Sequence, residues 1–195
     1  FRRVLFRSWH SSEGRCAVKR VAVIMAGGAG ERFWPLSRQK YPKQLLKIGG
    51  NRSMLGEAVG RVRPLVDPAD TFVVTGHMLR EAIVAESAGI PAENVIGEPE
   101  GKNTAACLAL ACAHLEHRYG RDTDVSMVVL TADHSIPDVE GFVADCRTLF
   151  DCAERADVLA TFGIPPVRPE TGYGYVEVGA PMSECPGVMR VASFR

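Results

Sequence analysis

The sequence shows no excess of either charge sign. Lysine and arginine together number 23, as do aspartate and glutamate, so the formal net charge is zero. Such a chain presents no broad basic surface for nucleic acid or anionic lipid. It also lacks an apolar run long enough to span a membrane. We therefore expect neither nucleic acid nor a membrane as a partner, and we expect any bound anion to be held by a local cluster of residues.

The cysteines form no CxxC pair, and no histidine-rich segment accompanies them. This pattern indicates neither a zinc site nor a disulfide framework. We expect reduced, mostly buried thiols in a cytoplasmic protein. The six are Cys16, Cys107, Cys112, Cys146, Cys152 and Cys185.

The length of 195 residues and the hydrophobic content of 46% suit one domain or an incomplete larger one. Residues 1–17 lack the cleavage site and long apolar run of a secretory signal and match no element of the domain that follows. We interpret them as a non-native or disordered segment, and we assign residues 18–195 to the domain.

Apolar runs that end in glycine or polar residues alternate with segments of helical periodicity. This alternation predicts an open, mostly parallel, Rossmann-like α/β sheet flanked by helices. Ligands of such sheets lie beyond the carboxyl ends of the strands. Residues 172–179 and 187–195 alternate instead and predict antiparallel strands added at one edge. The predicted buried strands are 21–25, 71–75, 94–99, 126–134 and 157–164, and the predicted helices are 53–65, 79–87, 103–120 and 138–156.

The glycine-rich stretch AGGAGERFWPLSRQKYPKQ, residues 26–44, follows the first predicted strand. A dinucleotide fingerprint beginning at Gly28 would need a third glycine where Phe33 stands. A P-loop would need serine or threonine after Gly101 and Lys102, where Asn103 stands. Both patterns fail. The alternative is a loop whose amides approach an anion closely, with the charge supplied by Arg32 and Lys43.

Five segments, in order, resemble the sugar-phosphate nucleotidylyltransferases, and the Trp-Pro-Leu-Ser and Tyr-Pro-Lys-Gln pairing resembles the mannose-1-phosphate guanylyltransferase branch. The resemblance extends from about Lys19 to the end of the chain, with Glu31 where the family usually has threonine. The segments are VAVIMAGGAGERFWPLSRQKYPKQLLKIGG, GEPEGKNTAA, VVLTADH, TFGIPPVRPETGYGYVEV and VMRVASF.

The resemblance implies that a phosphate oxygen of mannose 1-phosphate attacks the α-phosphorus of GTP, giving GDP-mannose and pyrophosphate. Both reacting groups are already anionic, so positioning and charge neutralisation matter more than a strong base. By resemblance, Arg32 holds the leaving β,γ-phosphates and Lys43 reaches the α-phosphate or the sugar phosphate. Asp133 ends a buried strand and would bind Mg²⁺, which prefers a few hard oxygen ligands together with substrate phosphates.

The remaining residues implied by resemblance fall into two groups, one for the nucleotide and one for the sugar. A homodimer is left open as the assembly. Helix capping is the alternative for Asp133, Asn103 and Thr104, and a tight turn is the alternative for the mannose loop. The nucleotide would be bound by Ala26, Gly27, Gly28, Gly30, Glu98, Asn103 and Thr104, and the sugar by Gly172, Tyr173 and Gly174.

Members of this family continue beyond the strand that corresponds to VMRVASF, so we expect the GTP-binding part to be present and the sugar-binding half to be incomplete. Such a fragment is expected to have little activity alone. Two other functions remain open: transfer between glucose 1-phosphate and UTP or dTTP, and a noncatalytic nucleotide-sensing subunit.

Overall fold

The computed structural model describes residues 5–7, 18–28, 33–38, 42–48, 50–87, 89–156 and 158–195. The strands are β1 (Leu5–Arg7), β2 (Lys19–Met25), β3 (Thr71–Gly76), β4 (Val95–Glu98), β5 (Val125–Thr131), β6 (Val176–Pro181) and β7 (Met189–Phe194). The helices are α1 (Met54–Val62), α2 (Arg80–Glu86), α3 (Asn103–Tyr119) and α4 (Val139–Ala156).

One sheet has the strand order β1-β5-β2-β3-β4. Strands β5, β2, β3 and β4 are parallel to one another, and β1 pairs antiparallel with β5 at the edge. Helices lie on both faces because alternate residues of the buried strands point to opposite sides. The predicted open, mostly parallel α/β sheet is therefore confirmed.

Each face of the sheet has its own hydrophobic core. On one face Ala22 and Ile24 of β2 pack with residues of α1, α2 and α4. On the other face Val21 and Val23 pack with residues of α3. Both faces of β2 are thus covered, which explains why its sequence is a continuous apolar run.

Two helices begin at side-chain caps. The Ser53 hydroxyl accepts a hydrogen bond from the Gly56 amide at 3.0 Å, at the start of α1. The Asp138 carboxylate accepts one from the Gly141 amide at 2.8 Å, at the start of α4. Such caps satisfy amides that have no partner within the helix.

Strands β6 and β7 pair antiparallel, as predicted, but they form a separate two-stranded sheet rather than an addition to the edge of the main one. The prediction of a strand over 157–164 is wrong for the part the structure describes, since residues 158–164 form no strand. Ala160 and Phe162 instead pack on the main core, with the Phe162 ring 5.8 Å from that of Phe142. An apolar run indicates burial, which does not require strand pairing.

The expectation of reduced thiols is wrong for two cysteines. Cys152 on α4 and Cys185 between β6 and β7 form a disulfide with a Cα–Cα distance of 5.4 Å. Cys107, Cys112 and Cys146 are not disulfide-bonded, and Cys16 lies outside the described residues. The two bonded residues are 33 positions apart, and no spacing motif in the sequence signals that they meet.

The disulfide sits in a small cluster that joins the second sheet to α4. Met182 is buried beside the two bonded cysteines. The Arg155 guanidinium adds a hydrogen bond to the Glu184 carbonyl at 3.0 Å. These contacts fasten the β6-β7 hairpin to the main domain.

The interpretation of residues 1–17 as a non-native or disordered segment stays a prediction. Within that segment, Leu5–Arg7 form the edge strand β1. Among the described helices, none has the length and apolarity needed to cross a membrane.

Breaking the disulfide should destabilise the chain. Cys152→Ala is expected to lower the free energy of unfolding by about 3 kcal/mol, because the cross-link restricts the unfolded chain. Urea unfolding with and without a thiol reductant measures this effect. The wild-type chain and Cys146→Ala, which removes a buried thiol that is not disulfide-bonded on the same helix, should lose stability on reduction. Cys152→Ala should not respond, and a wild-type midpoint that reductant leaves unchanged would contradict the expectation.

Candidate functional site

Strands β2 and β5 are neighbours in the sheet although β3 and β4 lie between them in sequence. Met25 is in register with Thr131, so the two strands end level with each other. The Ala132 amide continues the ladder by donating to the Met25 carbonyl at 3.0 Å. The chain reverses its direction of winding here, and such a switch point opens a crevice beyond the strand ends.

The glycine turn after β2 is fixed at its first residue. Ala26 is fully buried, and its amide donates to the Val74 carbonyl at 2.7 Å. Its carbonyl accepts from the Thr75 hydroxyl at 3.1 Å. Gly28 then takes φ +97°, a left-handed conformation that glycine adopts without strain. Ala26, Gly27 and Gly28, for which the sequence predicts a backbone cradle, thus lie in a turn whose first residue is hydrogen-bonded through both its amide and its carbonyl.

Glu98, at the end of β4, lies beside this turn. A Cβ built on Gly27 would stand 3.5 Å from the Glu98 Oε2 atom. Burial raises the pKa of the Glu98 carboxyl above its ordinary value. A carboxylate from a third strand end therefore borders the same crevice.

Lys43 and Asp133 meet across the crevice. Lys43 begins a 3-10 turn, Lys43–Leu45, and its Nζ atom donates to the Asp133 Oδ2 atom at 2.5 Å. The lysine side chain is 21% exposed and the aspartate 28%, so the pair is half-buried and open to solvent on one side. The structure thus brings together two residues, 90 positions apart, that the sequence assigned to one site.

The ammonium keeps Asp133 ionised. Burial alone would raise the pKa of the Asp133 carboxyl, but the hydrogen bond and the charge of Lys43, with smaller effects of His134 and Thr131, outweigh it and hold the pKa below its ordinary value. Asp133 is not the cap of the helix that follows, because Asp138 has that role. The capping alternative for Asp133 is therefore excluded.

The capping alternative also fails for Asn103 and Thr104. Helix α3 begins at Asn103 itself, its cap position is Lys102, and no side chain there bonds to a helix amide. Asn103 has φ +63°, and both Asn103 and Thr104 are exposed. The first turn of α3 therefore presents polar side chains to solvent, and capping does not explain them.

The proposed mannose loop lies at the entry to β6, in the second sheet. Tyr173 is 75% exposed, and the Gly172 amide donates to the Glu170 carboxylate at 3.3 Å, which is a local turn contact. Gly174 contributes to a small cavity with residues of the 161–164 segment and with Phe194. Arg32 and Gly30 lie outside the described residues, as does Glu31.

Sequence reasoning missed Gln44, the residue after Lys43. Its side chain is 1% exposed, and its Nε2 atom donates to the Gly27 carbonyl at 2.6 Å and the Gly28 carbonyl at 3.3 Å. Both neighbours are carbonyl oxygens, so the amide nitrogen must face them. The signal available in the sequence was a glutamine that stands between a lysine and two leucines. The structure shows that both leucines are buried. Consecutive side chains of one turn therefore reach the ends of two strands.

The donor set suits Mg²⁺ only in part. Among the described residues, no group of three or more His, Cys, Asp or Glu side chains could hold a metal ion. Mg²⁺ commonly takes one or two carboxylates and completes its shell with water and phosphate oxygens. Asp133, ionised and already in contact with a cation, fits the role of one such carboxylate.

Comparison with known proteins agrees with this geometry. The chain is 40% identical over 181 residues to a mannose-1-phosphate guanylyltransferase of Salmonella montevideo, an alignment that covers 88% of the chain and 36% of the relative. It is 44% identical over 160 residues to a mannose-1-phosphate guanylyltransferase of Escherichia coli K12, covering 80% and 33%. The chain thus spans about a third of the length of these curated relatives.

A solved structure shares the fold. A Thermus thermophilus protein, described as a mannose-1-phosphate geranyltransferase, superimposes with a TM-score of 0.75 at 30% identity. The match covers 91% of this chain and 50% of that one.

The family profile described as nucleotidyl transferase matches residues 21–195, which is nearly the whole domain. Together with the strand order, the glycine turn and the relatives, this match shows that the chain belongs to the nucleotidyl transferase family.

Proposed function

We propose that this chain provides the GTP-binding part of a mannose-1-phosphate guanylyltransferase. The observation that carries the proposal is the contact of Lys43 with Asp133 beside the glycine turn. It sets a cation and a carboxylate where a nucleoside triphosphate and its counterion would lie. The choice of GTP and mannose 1-phosphate is supported by the relatives, and the choice of Mg²⁺ by the ionised carboxylate.

In the proposed reaction, an oxygen of the sugar phosphate attacks the α-phosphorus of GTP. The bond from that phosphorus to the oxygen bridging to the β-phosphate breaks, and pyrophosphate leaves with the electron pair. Bound Mg²⁺ would neutralise charge on the phosphates. The Lys43 ammonium would leave Asp133 and bind a phosphate oxygen, and Arg32 would hold the leaving phosphates.

The other proposed contacts concern the base and the sugar. The Glu98 carboxylate would accept hydrogens from N1 and N2 of guanine, and Asn103 and Thr104 would lie near the ribose. Mannose would bind at Gly172, Tyr173 and Gly174. A homodimer is the assembly proposed.

Calorimetry with GTP and Mg²⁺ tests the assignment directly. The wild-type chain is expected to bind GTP, more tightly with Mg²⁺ than in EDTA. Lys43→Met should weaken binding by about tenfold, because a charge-assisted contact to phosphate is lost. Asp133→Asn should abolish the gain in affinity that Mg²⁺ brings. Lys47→Met removes an exposed lysine nearby and serves as the control.

The control should bind as the wild type does. Folded wild-type protein that gives no heat with GTP would rule out the nucleotide assignment. UTP or dTTP binding in place of GTP would instead favour the glucose 1-phosphate reaction.

The base contact predicts a pH dependence. Glu98 can accept two hydrogens only when ionised, and its pKa is raised by burial. GTP affinity should therefore be full above that pKa and fall as the pH drops through it. Glu98→Gln should weaken GTP binding by about tenfold and flatten this dependence, while leaving ATP binding nearly unchanged. Equal losses for GTP and ATP would show that Glu98 does not contact guanine.

Gln44 provides a test of the glycine turn. Gln44→Met keeps the size of the side chain but removes both hydrogen bonds to the turn, so GTP affinity should fall by about tenfold. Asn94→Leu is the matched control. Asn94 is fully buried and donates to the Ala69 and Thr71 carbonyls at 2.9 and 3.0 Å, at the amino ends of β3 and β4.

Both variants lose a buried amide that donates to two carbonyls, so both should lower the melting temperature by similar amounts. Only Gln44→Met should weaken GTP binding. Equal GTP affinities in the two folded variants would show that Gln44 matters for stability alone.

A further inference from the structure

Arg61 is a buried cation on the core-facing side of α1. Its side chain is 6% exposed, and its helix neighbours Leu55, Ala58 and Val62 belong to the main hydrophobic core. Burial lowers the pKa of the guanidinium, and the charge of Glu57, one turn earlier, acts in the opposite direction. A charge in such a place costs free energy unless it is well paired.

The pairing of Arg61 within the described residues is incomplete. Its Nη2 atom donates to the His134 carbonyl at 2.9 Å, whereas its Nη1 atom is buried and has no hydrogen-bond partner among those residues. An apolar side chain of similar length would fill the same space without that cost. The core alone therefore does not explain an arginine here.

The hydrogen bond that Arg61 makes within the described residues has a specific target, the turn that carries Asp133. Upstream of Asp133, the Ala132 amide is bound to the Met25 carbonyl at 3.0 Å. Downstream, the His134 carbonyl is bound by Arg61. Asp133 thus stands between two backbone anchors, one from a strand and one from a helix.

We infer that Arg61 is a positioning residue, which directs the Asp133 carboxylate into the crevice by fixing the backbone carbonyl of the next residue, His134. This inference rests on the proposed function, in which Asp133 binds the Mg²⁺ that accompanies GTP. Without the Arg61 bond, the turn loses its anchor to α1. The carboxylate would then spend less time in the direction that Lys43 and a metal ion require.

The test measures the affinity of GTP by calorimetry, once with Mg²⁺ and once in EDTA, and takes the ratio as the Mg²⁺-dependent gain. Arg61→Met should reduce this gain by about fivefold or more, since a displaced ligand weakens metal binding. The affinity in EDTA should stay within about twofold of the wild type. A purely structural role would leave the gain unchanged or lower both affinities together.

Arg80→Met is the matched control. Arg80 also holds backbone carbonyls, those of Val95 at 2.9 Å and Ala92 at 2.8 Å, but these lie at the amino end of β4 and not in the turn that carries Asp133. Its loss should leave both affinities unchanged. If Arg61→Met does not fold, Arg61→Gln, which is too short to reach the same carbonyl, takes its place with the same expectations.

An unchanged Mg²⁺-dependent gain in a folded Arg61 variant would overturn the inference while leaving the proposed function intact. Wild-type protein that fails to bind GTP in either condition would instead refute the proposed function, and this inference with it.

Discussion

The parallel pairing of β2 with β5 determines where everything else in this site can lie. Its register runs unbroken from Lys19 with Val125 to Met25 with Thr131. Successive side chains of a strand point to opposite faces, so a slip of one residue would turn Ala22 and Ile24 from one core to the other. Because both faces of the sheet are buried, such a slip is strongly disfavoured. The glycine turn and Asp133 are therefore held level by the packing of the whole domain.

The 3-10 turn Lys43–Leu45 places two polar side chains against the aligned strand ends. Leu45 is buried in the main core and fixes the turn, while the two preceding residues point into the crevice region. Lys43 reaches the end of β5 and Gln44 the glycine turn after β2. This short turn thus links two strand ends, so a displacement of either strand would change both hydrogen bonds.

Buried strands and long helices could be predicted from the sequence because a continuous apolar run, or apolar residues at helical spacing, shows directly which positions are buried. The apolar run at 158–164 was misleading for the same reason, since Ala160 buries its side chain without belonging to a strand. The Cys152–Cys185 bond and the Arg61 contact join residues far apart in sequence, and no local pattern records them. Asp133 could be placed because a polar residue that directly follows a buried strand lies at the carboxyl end of that strand, where the crevice opens. Its partner Lys43 could be named because it is a basic residue close to the glycine loop, and the family resemblance then gave it a role at the phosphates.

The ion pair of Lys43 with Asp133 also bears on how a metal ion would enter. Lys43 holds the Asp133 carboxyl in its ionised form despite partial burial. A metal ion that binds a protonated carboxyl must first release the proton, which makes its affinity depend on pH. In the proposed function the group displaced would be an ammonium, and a triphosphate arriving with the metal would offer that ammonium another anion. The exchange would move Lys43 from one oxygen to another without leaving a buried charge unpaired, so the ion pair suits both residues for their proposed roles.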